Sequence, residues 1–428
     1  MNVKVAEPTA NLKAAKTDGR FFGLLATLVL GLAAFLTIFI EIVAPVNWKQ
    51  TDITPTVIGL REVVQRHNPY TRELTSHIQR LVLEDTPGIT EADLQAVEKL
   101  FRQPFNYPLP QALLWVPLAV PFPEVVSVAL MRFATLAGYF GGVLLFCMAF
   151  NSRQSYPGRS NLPGLSLLII LTAVAGGATL RTLWPIVQPA GITMLYLGLF
   201  TYFFIRGRYE WAGAMACIML YKPQLTAVLF LGVLCFALIN PLARWRMFKG
   251  FLAATLPLSA LAFFFVPSWP LEWLKVLGWL TANDETTHIE YISALGFLGW
   301  LVAGLVVLLN IWVWWRAART PESDPERTFQ LGLALSVGIM SSLFLLPRTG
   351  SYDYIACYLP LTFSWGYIAA HWKQPWRNLS VGLGLLILYG ASLYYLQVQG
   401  NEIFAAVLAL SALYTGGVQV YRKIAVKG

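Results

Sequence analysis

Long apolar runs recur along the chain and are separated by shorter polar segments. The runs lie at 21–44, 124–150, 164–180, 190–205, 211–221, 224–240, 250–267, 293–315, 328–346, 354–371, 378–398 and 403–421. A helix needs about 17 to 25 apolar residues to cross a hydrocarbon layer about 30 Å thick, and most of the runs have that length. The pattern therefore predicts an all-α fold, a polytopic transmembrane helical bundle of about twelve spans.

The distribution of basic residues predicts the orientation of this bundle. Residues 1–20 form a polar N-terminal tail, and further basic clusters follow at 206–208, 244–249 and 421–423. Lysine and arginine favour cytoplasmic loops, so we expect these segments and both termini to be cytoplasmic. The first apolar run exceeds the length of about 7 to 15 residues typical of a signal-peptide core. We therefore expect a multi-pass plasma-membrane protein with a retained first span.

Two longer segments are predicted to lie on the extracytoplasmic side of a single transmembrane body, residues 21–428. The first, 45–121, is the longest polar segment in the chain, and the second, 268–292, contains three tryptophans suited to a helix in the headgroup region. Residues 107–121 are apolar but contain four prolines. Because irregular backbone survives at membrane depth only against protein or a cavity, we expect this piece to be interfacial or re-entrant.

Residues 211–240 lie between two basic clusters and are therefore predicted to form a hairpin that turns at YKPQ, 221–224. The first arm has about 11 residues at a rise of about 1.5 Å each, which is too short to span the membrane. A broken hairpin with a lysine at its turn is typical of a substrate site in a membrane protein. A scaffold role is the alternative.

The composition excludes several classes of protein. The chain is 57% hydrophobic and 12% charged, and its mean hydropathy of +0.58 is far above that of a soluble domain. The four cysteines lie in apolar runs without metal-ligand spacing, and no two of the four histidines have helical ligand spacing. No P-loop or dinucleotide fingerprint occurs. The sequence therefore predicts no metal-binding residues, no cofactor and no nucleic-acid partner, despite a net charge of +9, and it leaves metal dependence of the reaction open.

Asp52 is the candidate for acid–base chemistry. It lies about eight residues past the first run, close to the predicted membrane surface. A carboxylate there is positioned to deprotonate an acceptor hydroxyl while a sugar leaves its phosphate. The alternative is a solvated aspartate in a loop. A retaining hydrolase would need a second carboxylate about 5 Å away, and Glu62 is the nearest candidate.

Four cations at the predicted outer side form a second candidate group. Arg132, Arg181, Lys222 and Arg348 lie within or at the ends of apolar runs, where a charge is costly and usually functional. Together they would neutralise an anionic phosphate. The alternative is that they snorkel to lipid headgroups. Asp353 lies close to Arg348 in the sequence, so a structural ion pair between these two is a further alternative.

Several short motifs occur in an order that resembles a known family. They are Asp52 in the first outer loop, HNPY (67–70), FNYPLPQALL (105–114), Gln188 before a span, KPQ (222–224) and SYDYIACYLPL (351–361). This order resembles the polyprenyl-phosphate-dependent glycosyltransferases of the GT-C superfamily, in particular glycosyltransferase family 87 with its bacterial mannosyltransferases. The resemblance covers most of the chain. The chain departs from the family where His67 and Val187 replace glycine, and where ITPT follows the aspartate.

The resemblance implies a membrane enzyme that takes a sugar from a polyprenyl phosphate in the outer leaflet. The transfer would invert the anomeric centre, use no nucleotide sugar and deliver the sugar, such as mannose or another hexose or pentose, to a lipid or glycan acceptor. Asp52 would be the base, and the four cations named above would hold the donor phosphate. The implied substrate-binding residues are His67, Asn68, Tyr70, Tyr107, Gln188, Gln224 and Asp353.

Two other functions remain open from the sequence alone. The protein could be a lipid or solute transporter with the broken hairpin at a midplane site. It could also be a non-catalytic subunit whose outer loop docks onto a partner in a membrane complex.

Overall fold

The structure is a computed structural model that describes residues 8–43, 47–83, 90, 104–151, 166–167, 169–171, 173, 187–283, 296–324, 326–346 and 351–371. Within these ranges every regular element is a helix and no strand occurs. The predicted helical class is therefore confirmed. The predicted runs at 378–398 and 403–421, and most of 164–180, lie outside the described residues.

The helices are α1 (Pro8–Val43), α2 (Thr54–Val64), α3 (Arg72–Leu83), α4 (Leu109–Ala112), α5 (Val116–Ala119), α6 (Glu124–Phe150), α7 (Ala190–Ile205), α8 (Tyr209–Ile218), α9 (Pro223–Ile239), α10 (Trp245–Phe265), α11 (Trp269–Asn283), α12 (Phe297–Arg319), α13 (Arg327–Leu345) and α14 (Tyr358–His371). Short 3-10 turns occur at Trp48–Gln50, Leu113–Trp115, Met219–Tyr221 and Ser351–Cys357.

Five helices in the described ranges are long and apolar enough to cross a membrane. They are Phe21–Ile42 within α1, and the helices α6, α10, α12 and α13. The helices α7 and α9 are apolar but shorter, with 16 and 17 residues. The protein is thus compatible with a membrane location, while the count of about twelve spans stays a prediction.

Helices α6 and α7 pack with their backbones in contact because glycines lie where they cross. A methyl group at Gly142 in α6 would lie 2.4 Å from the carbonyl oxygen of Met194, and one at Gly198 in α7 would lie 2.8 Å from the Cα of Gly142. Gly138 and Gly142 are four residues apart and therefore lie on one helix face, as in the small-residue contacts of membrane helices. This close contact fixes α7, which begins two residues after Gln188.

Two buried arginines join the helices α8, α9, α12 and α13 at the end of α9 that is remote from Lys222. Arg244 donates to the carbonyl oxygen of Ala318 over 2.6 Å, and Arg327 donates to that of Ala317 over 2.9 Å. The last carbonyls of a helix lack partners within the helix, so these guanidinium groups satisfy the end of α12. Arg327 also donates to the hydroxyl of Tyr209 in α8 over 2.9 Å.

The described residues of the predicted outer segment 45–121 include α2, α3 and the broken helix α4–α5. Prolines at 110 and 117 start the two short helices, and the 3-10 turn between them prevents one continuous helix, which agrees with the irregular backbone expected at 107–121. Arg61 of α2 pairs with Glu124 and donates to the carbonyl oxygen of Ala119 over 3.1 Å. These contacts attach α2 to the start of α6.

Helix α11 occupies most of the second predicted outer loop and packs against the first. The indole Nε1 of Trp273 donates to the carbonyl oxygen of Asn106 over 3.0 Å. The guanidinium group of Arg72 lies 4.8 Å from the ring centre of Trp279, which is within cation–π distance. The two segments predicted to share the outer side are therefore joined to each other.

Candidate functional site

Asp52 lies at the junction between α1 and α2, two residues after the end of the 3-10 turn Trp48–Gln50. The hydroxyl of Thr51 donates to the carbonyl oxygen of Trp48 over 3.1 Å and lies 2.9 Å from the hydroxyl of Thr54. These short-range hydrogen bonds fix the backbone on both sides of the aspartate. The side chain is partly buried, and burial raises the pKa of Asp52 to about 6. A carboxylate of this kind is mostly ionised at neutral pH and is still able to accept a proton.

Lys222 lies at the helix break between α8 and α9. Pro223 starts α9, and a residue that precedes proline is directed away from the helical region, here to φ −122° and ψ 82°. The Lys222 ammonium group pairs with the carboxylate of Asp353 in the turn Ser351–Cys357. Both side chains are buried, with 2% and 0% of their surface exposed. A buried ion pair of this kind needs both partners, because either charge alone would be very costly.

Asp52 also interacts with Lys222, although the two residues are far apart in the sequence. The ammonium group of Lys222 lowers the pKa of Asp52, which partly opposes the larger effect of burial. A second contact lies close to the first. Thr56, in the first turn of α2, interacts with the hydroxyl of Tyr221, the residue before Lys222. The start of α2 therefore lies close to the 3-10 turn that precedes α9. We call Asp52, Lys222 and Asp353 the carboxylate–lysine cluster.

An aromatic wall borders this cluster. The rings of Tyr107 and Tyr221 are stacked, with centroids 4.8 Å apart and an interplanar angle of 19°. The ring of Trp115 lies 6.4 Å from that of Tyr221. The hydroxyl of Tyr70 donates to the carbonyl oxygen of Tyr107 over 2.8 Å, so the motifs at 67–70 and 105–114 meet here. The predicted residues Tyr70, Tyr107 and Lys222 are thus brought into one region.

His67 and Asn68 have local partners within the outer segment. The Nδ1 atom of His67 lies 2.8 Å from a carboxylate oxygen of Glu62, and its side chain is well exposed. The side chain of Asn68 accepts a hydrogen bond from the backbone nitrogen of Tyr70 over 3.0 Å, which is a local turn contact. Their predicted role in substrate binding stays a prediction.

Gln188 and Gln224 lie at the starts of α7 and α9. Gln188 is buried and Gln224 is partly buried. Val187, which precedes Gln188, has a φ of +53°. A β-branched residue is strained in this left-handed region, whereas glycine adopts it readily. At position 187 the resembled family has glycine and this chain has valine, and the backbone there has a conformation that favours glycine.

Arg132 has a different partner from the one the sequence suggested. It is almost completely buried in α6 and pairs with Glu41 of α1. This pair compensates its charge and joins the first span to α6, so its predicted part in phosphate binding stays a prediction. Arg181 and Arg348, the other two predicted phosphate ligands, lie outside the described residues. The carboxylate of Asp353, which the sequence placed near Arg348, has Lys222 as a partner.

Three residues beside the cluster escaped prediction from the sequence: Thr56, Trp115 and Tyr221. Each is an ordinary residue in an apolar context, and no spacing rule marks it. The only signal is their closeness in the sequence to residues that were identified: Thr56 to Asp52, and Tyr221 to Lys222. Trp115 follows the FNYPLPQALL motif directly.

Among the described residues, no group of three or more histidine, cysteine, aspartate or glutamate side chains is able to hold a metal ion. The cysteines Cys147, Cys217, Cys235 and Cys357 are not joined in disulfides. The residues at and beside the cluster supply a carboxylate of raised pKa, an ammonium group and hydroxyl and indole donors.

No protein-family model, curated protein sequence or solved structure matches the chain.

Proposed function

We propose that the protein is a membrane glycosyltransferase of GT-C type that moves a sugar from a polyprenyl-phosphate donor to a lipid or glycan acceptor. The observation that supports this proposal most is that the charge of Lys222, a buried lysine paired with Asp353, acts on the partly buried carboxylate of Asp52 and lowers its pKa. One side chain accepts protons and the other carries a positive charge, and inverting transfer from a phosphoester needs these two functions.

In the proposed reaction Asp52 takes the proton from the acceptor hydroxyl as its oxygen forms a bond to the anomeric carbon of the sugar. The bond between that carbon and the phosphate oxygen breaks, and polyprenyl phosphate leaves with the electron pair. Lys222 stabilises the negative charge on the departing phosphate, so no separate acid is required. A single displacement inverts the anomeric centre, and Asp52 then releases its proton to water.

Asp353 holds Lys222 in place in this scheme. The ammonium group has three donors, and the carboxylate of Asp353 occupies one side of it. Tyr70 and Tyr107 belong to the wall of the site, while Arg132, Arg181, Arg348, His67, Asn68, Gln188 and Gln224 complete the set of proposed substrate-binding residues.

We further propose about twelve spans in the plasma membrane, cytoplasmic termini and an extracytoplasmic segment 45–121.

The test is transfer by the purified protein in proteoliposomes that contain polyprenyl phosphates carrying labelled mannose, glucose or arabinose. Phosphatidylinositol and a membrane lipid extract serve as acceptors. The proposal expects a labelled glycolipid to form with release of polyprenyl phosphate, without any nucleotide added. Absence of glycosidic bond formation with every donor and acceptor would overturn it.

A transporter is the second candidate, and one observation favours it. The helix break at Met219–Tyr221 places the buried pair of Lys222 and Asp353 between two apolar helices, as in carriers whose sites lie at interrupted helices. The same proteoliposomes separate the two functions. Movement of intact labelled lipid across the bilayer without bond cleavage would favour the transporter.

A further inference from the structure

Three buried polar groups beside the carboxylate–lysine cluster have no hydrogen-bond partner within the part of the chain that the structure describes. They are the hydroxyls of Thr56 and Tyr221 and the indole Nε1 of Trp115. The side chains of Thr56 and Tyr221 are completely buried, and Trp115 is 8% exposed. Each unpaired buried group costs about 1 to 3 kcal/mol, so three of them in one place call for a ligand that pairs with them.

These groups lie close to residues of the cluster. Thr56 follows Asp52 by four residues, Tyr221 directly precedes Lys222, and the two hydroxyl groups interact without completing a hydrogen bond of ordinary geometry. Trp115 approaches Tyr221 with ring centroids 6.4 Å apart. The three donors are therefore supplied by α2, by the turn before α9 and by the turn between α4 and α5.

Aromatic rings surround the three donors. Tyr107 stacks on Tyr221 at 4.8 Å, and Tyr196 of α7 lies 6.2 Å from Trp115. A sugar ring has apolar C–H faces that pack on aromatic rings and hydroxyl groups that need hydrogen-bond partners. A mostly apolar wall with a few fixed polar groups is the usual form of a small-molecule site. A bare isoprenoid chain, in contrast, would leave the three polar groups unpaired.

We propose that Thr56, Trp115 and Tyr221 form the subsite for the sugar ring of the donor, an inference that rests on the proposed function. With the phosphate on Lys222 and the acceptor hydroxyl on Asp52, the sugar lies between them, next to Tyr221. The hydroxyls of Thr56 and Tyr221 and the indole of Trp115 hydrogen-bond to sugar hydroxyls. The Tyr107 ring stacks on Tyr221 and forms part of the wall of this subsite, and its backbone carbonyl accepts a hydrogen bond from Tyr70.

The first test measures thermal stability without substrate and does not depend on the reaction. Tyr221→Phe and Thr56→Val each remove an unpaired buried hydroxyl, so the unfolding midpoint in detergent should rise, by about 1 to 3 °C. The matched control is Tyr70→Phe. Its hydroxyl is also buried but donates to Tyr107 over 2.8 Å, so its removal should lower the midpoint. A fall in the midpoint for Tyr221→Phe as large as that for Tyr70→Phe would overturn the subsite.

The second test compares binding of polyprenyl phosphates that carry mannose, glucose or arabinose with binding of bare polyprenyl phosphate. The wild-type protein should bind at least one sugar-bearing lipid more tightly than the bare lipid. Tyr221→Phe should reduce this preference about 5- to 150-fold and leave the affinity for the bare lipid unchanged.

The outcomes of this comparison separate the two proposals. A sugar preference that survives in Tyr221→Phe would overturn the subsite and leave the glycosyltransferase in place. No sugar preference in the wild-type protein across the panel would also overturn the subsite. Failure of the wild-type protein to bind any of these lipids would overturn both proposals.

Discussion

The ammonium group of Lys222 is held against the carboxylate of Asp353, and both side chains are closed off from solvent. A buried pair of this kind adds little net stability, but the loss of one partner leaves an uncompensated charge. The same ammonium group lowers the pKa of Asp52. The stability of the bundle and the protonation of the proposed base therefore depend on one lysine.

Asp353→Asn should destabilise the protein by about 3 to 5 kcal/mol, because it leaves the Lys222 charge buried without this partner. Thermal unfolding in detergent measures the change, and the double variant Lys222→Met with Asp353→Leu should recover much of the loss. The control is Glu272→Gln, which removes the more exposed pair with Lys275. It should change stability by less than about 1 kcal/mol. Equal small effects for Asp353→Asn and Glu272→Gln would contradict the buried pair.

The pH dependence of stability should carry a contribution from Asp52. Its pKa in the folded protein is about 6, above its ordinary value of 3.8, so the folded state binds the proton more tightly than the unfolded state does. This contribution is fully present below about pH 4 and is lost as the pH rises through about 6. Asp52→Asn should abolish the step, which we expect to be about 1 to 2 kcal/mol after allowance for solvent screening.

Unfolding midpoints between pH 4 and pH 8 measure this step. Glu322→Gln, which neutralises an exposed carboxylate between α12 and α13, is the control and should retain it. The stability of the wild-type protein relative to Asp52→Asn should fall between pH 4 and pH 6.5. If it does not fall, burial does not raise the pKa of Asp52.

The pH dependence of transfer should report the same group. A general base must be ionised, so kcat/KM should rise with pH and level off above an apparent pKa of about 6. Lys222→Met should move this rising limb of the kcat/KM profile to higher pH, because the lysine charge lowers the pKa of Asp52. Lys275→Met, at an exposed lysine of α11, should leave the limb in place. An unchanged limb in Lys222→Met would argue against direct interaction between Lys222 and the base.

Much of the helical architecture follows from the hydrophobic pattern. The run 124–150 coincides with α6, and the break predicted at YKPQ occurs at Lys222 because Pro223 restricts the residue before it. The start of α10 was placed at 250, but the helix begins at Trp245. Lysine and arginine are good helix formers, so the basic residues that indicated a cytoplasmic loop continue into the helix.

The pairing of side chains within the site could not be predicted. Asp52 and Lys222 were identified separately, but neither spacing nor periodicity indicates that they interact. An ion pair between Asp353 and Arg348 was an alternative from the sequence and stays a prediction because Arg348 lies outside the described residues, while the pair of Asp353 with Lys222 on a distant element was not foreseen. Contacts of this kind are set by helix packing, and a single sequence does not encode them in any local signal.

The crossing of α6 and α7 gives a prediction about assembly. Gly142→Ala should destabilise the protein by about 1 to 3 kcal/mol, because the new methyl group would lie 2.4 Å from the Met194 carbonyl oxygen and would push the helices apart. Gly141→Ala is the matched control. Its methyl group would meet only the Leu195 side chain, at 3.5 Å, so this variant should be neutral or slightly stabilising. Equal thermal midpoints for both variants would contradict the close contact.

Transfer of labelled sugar from a polyprenyl phosphate by the Asp52→Asn variant tests the central claim most directly. Asp52→Asn should fold, bind the donor and lose transfer by about 10²- to 10⁴-fold, while Glu62→Gln, at the nearest other candidate carboxylate, should keep its activity. Transfer by Asp52→Asn at the wild-type rate would contradict the account.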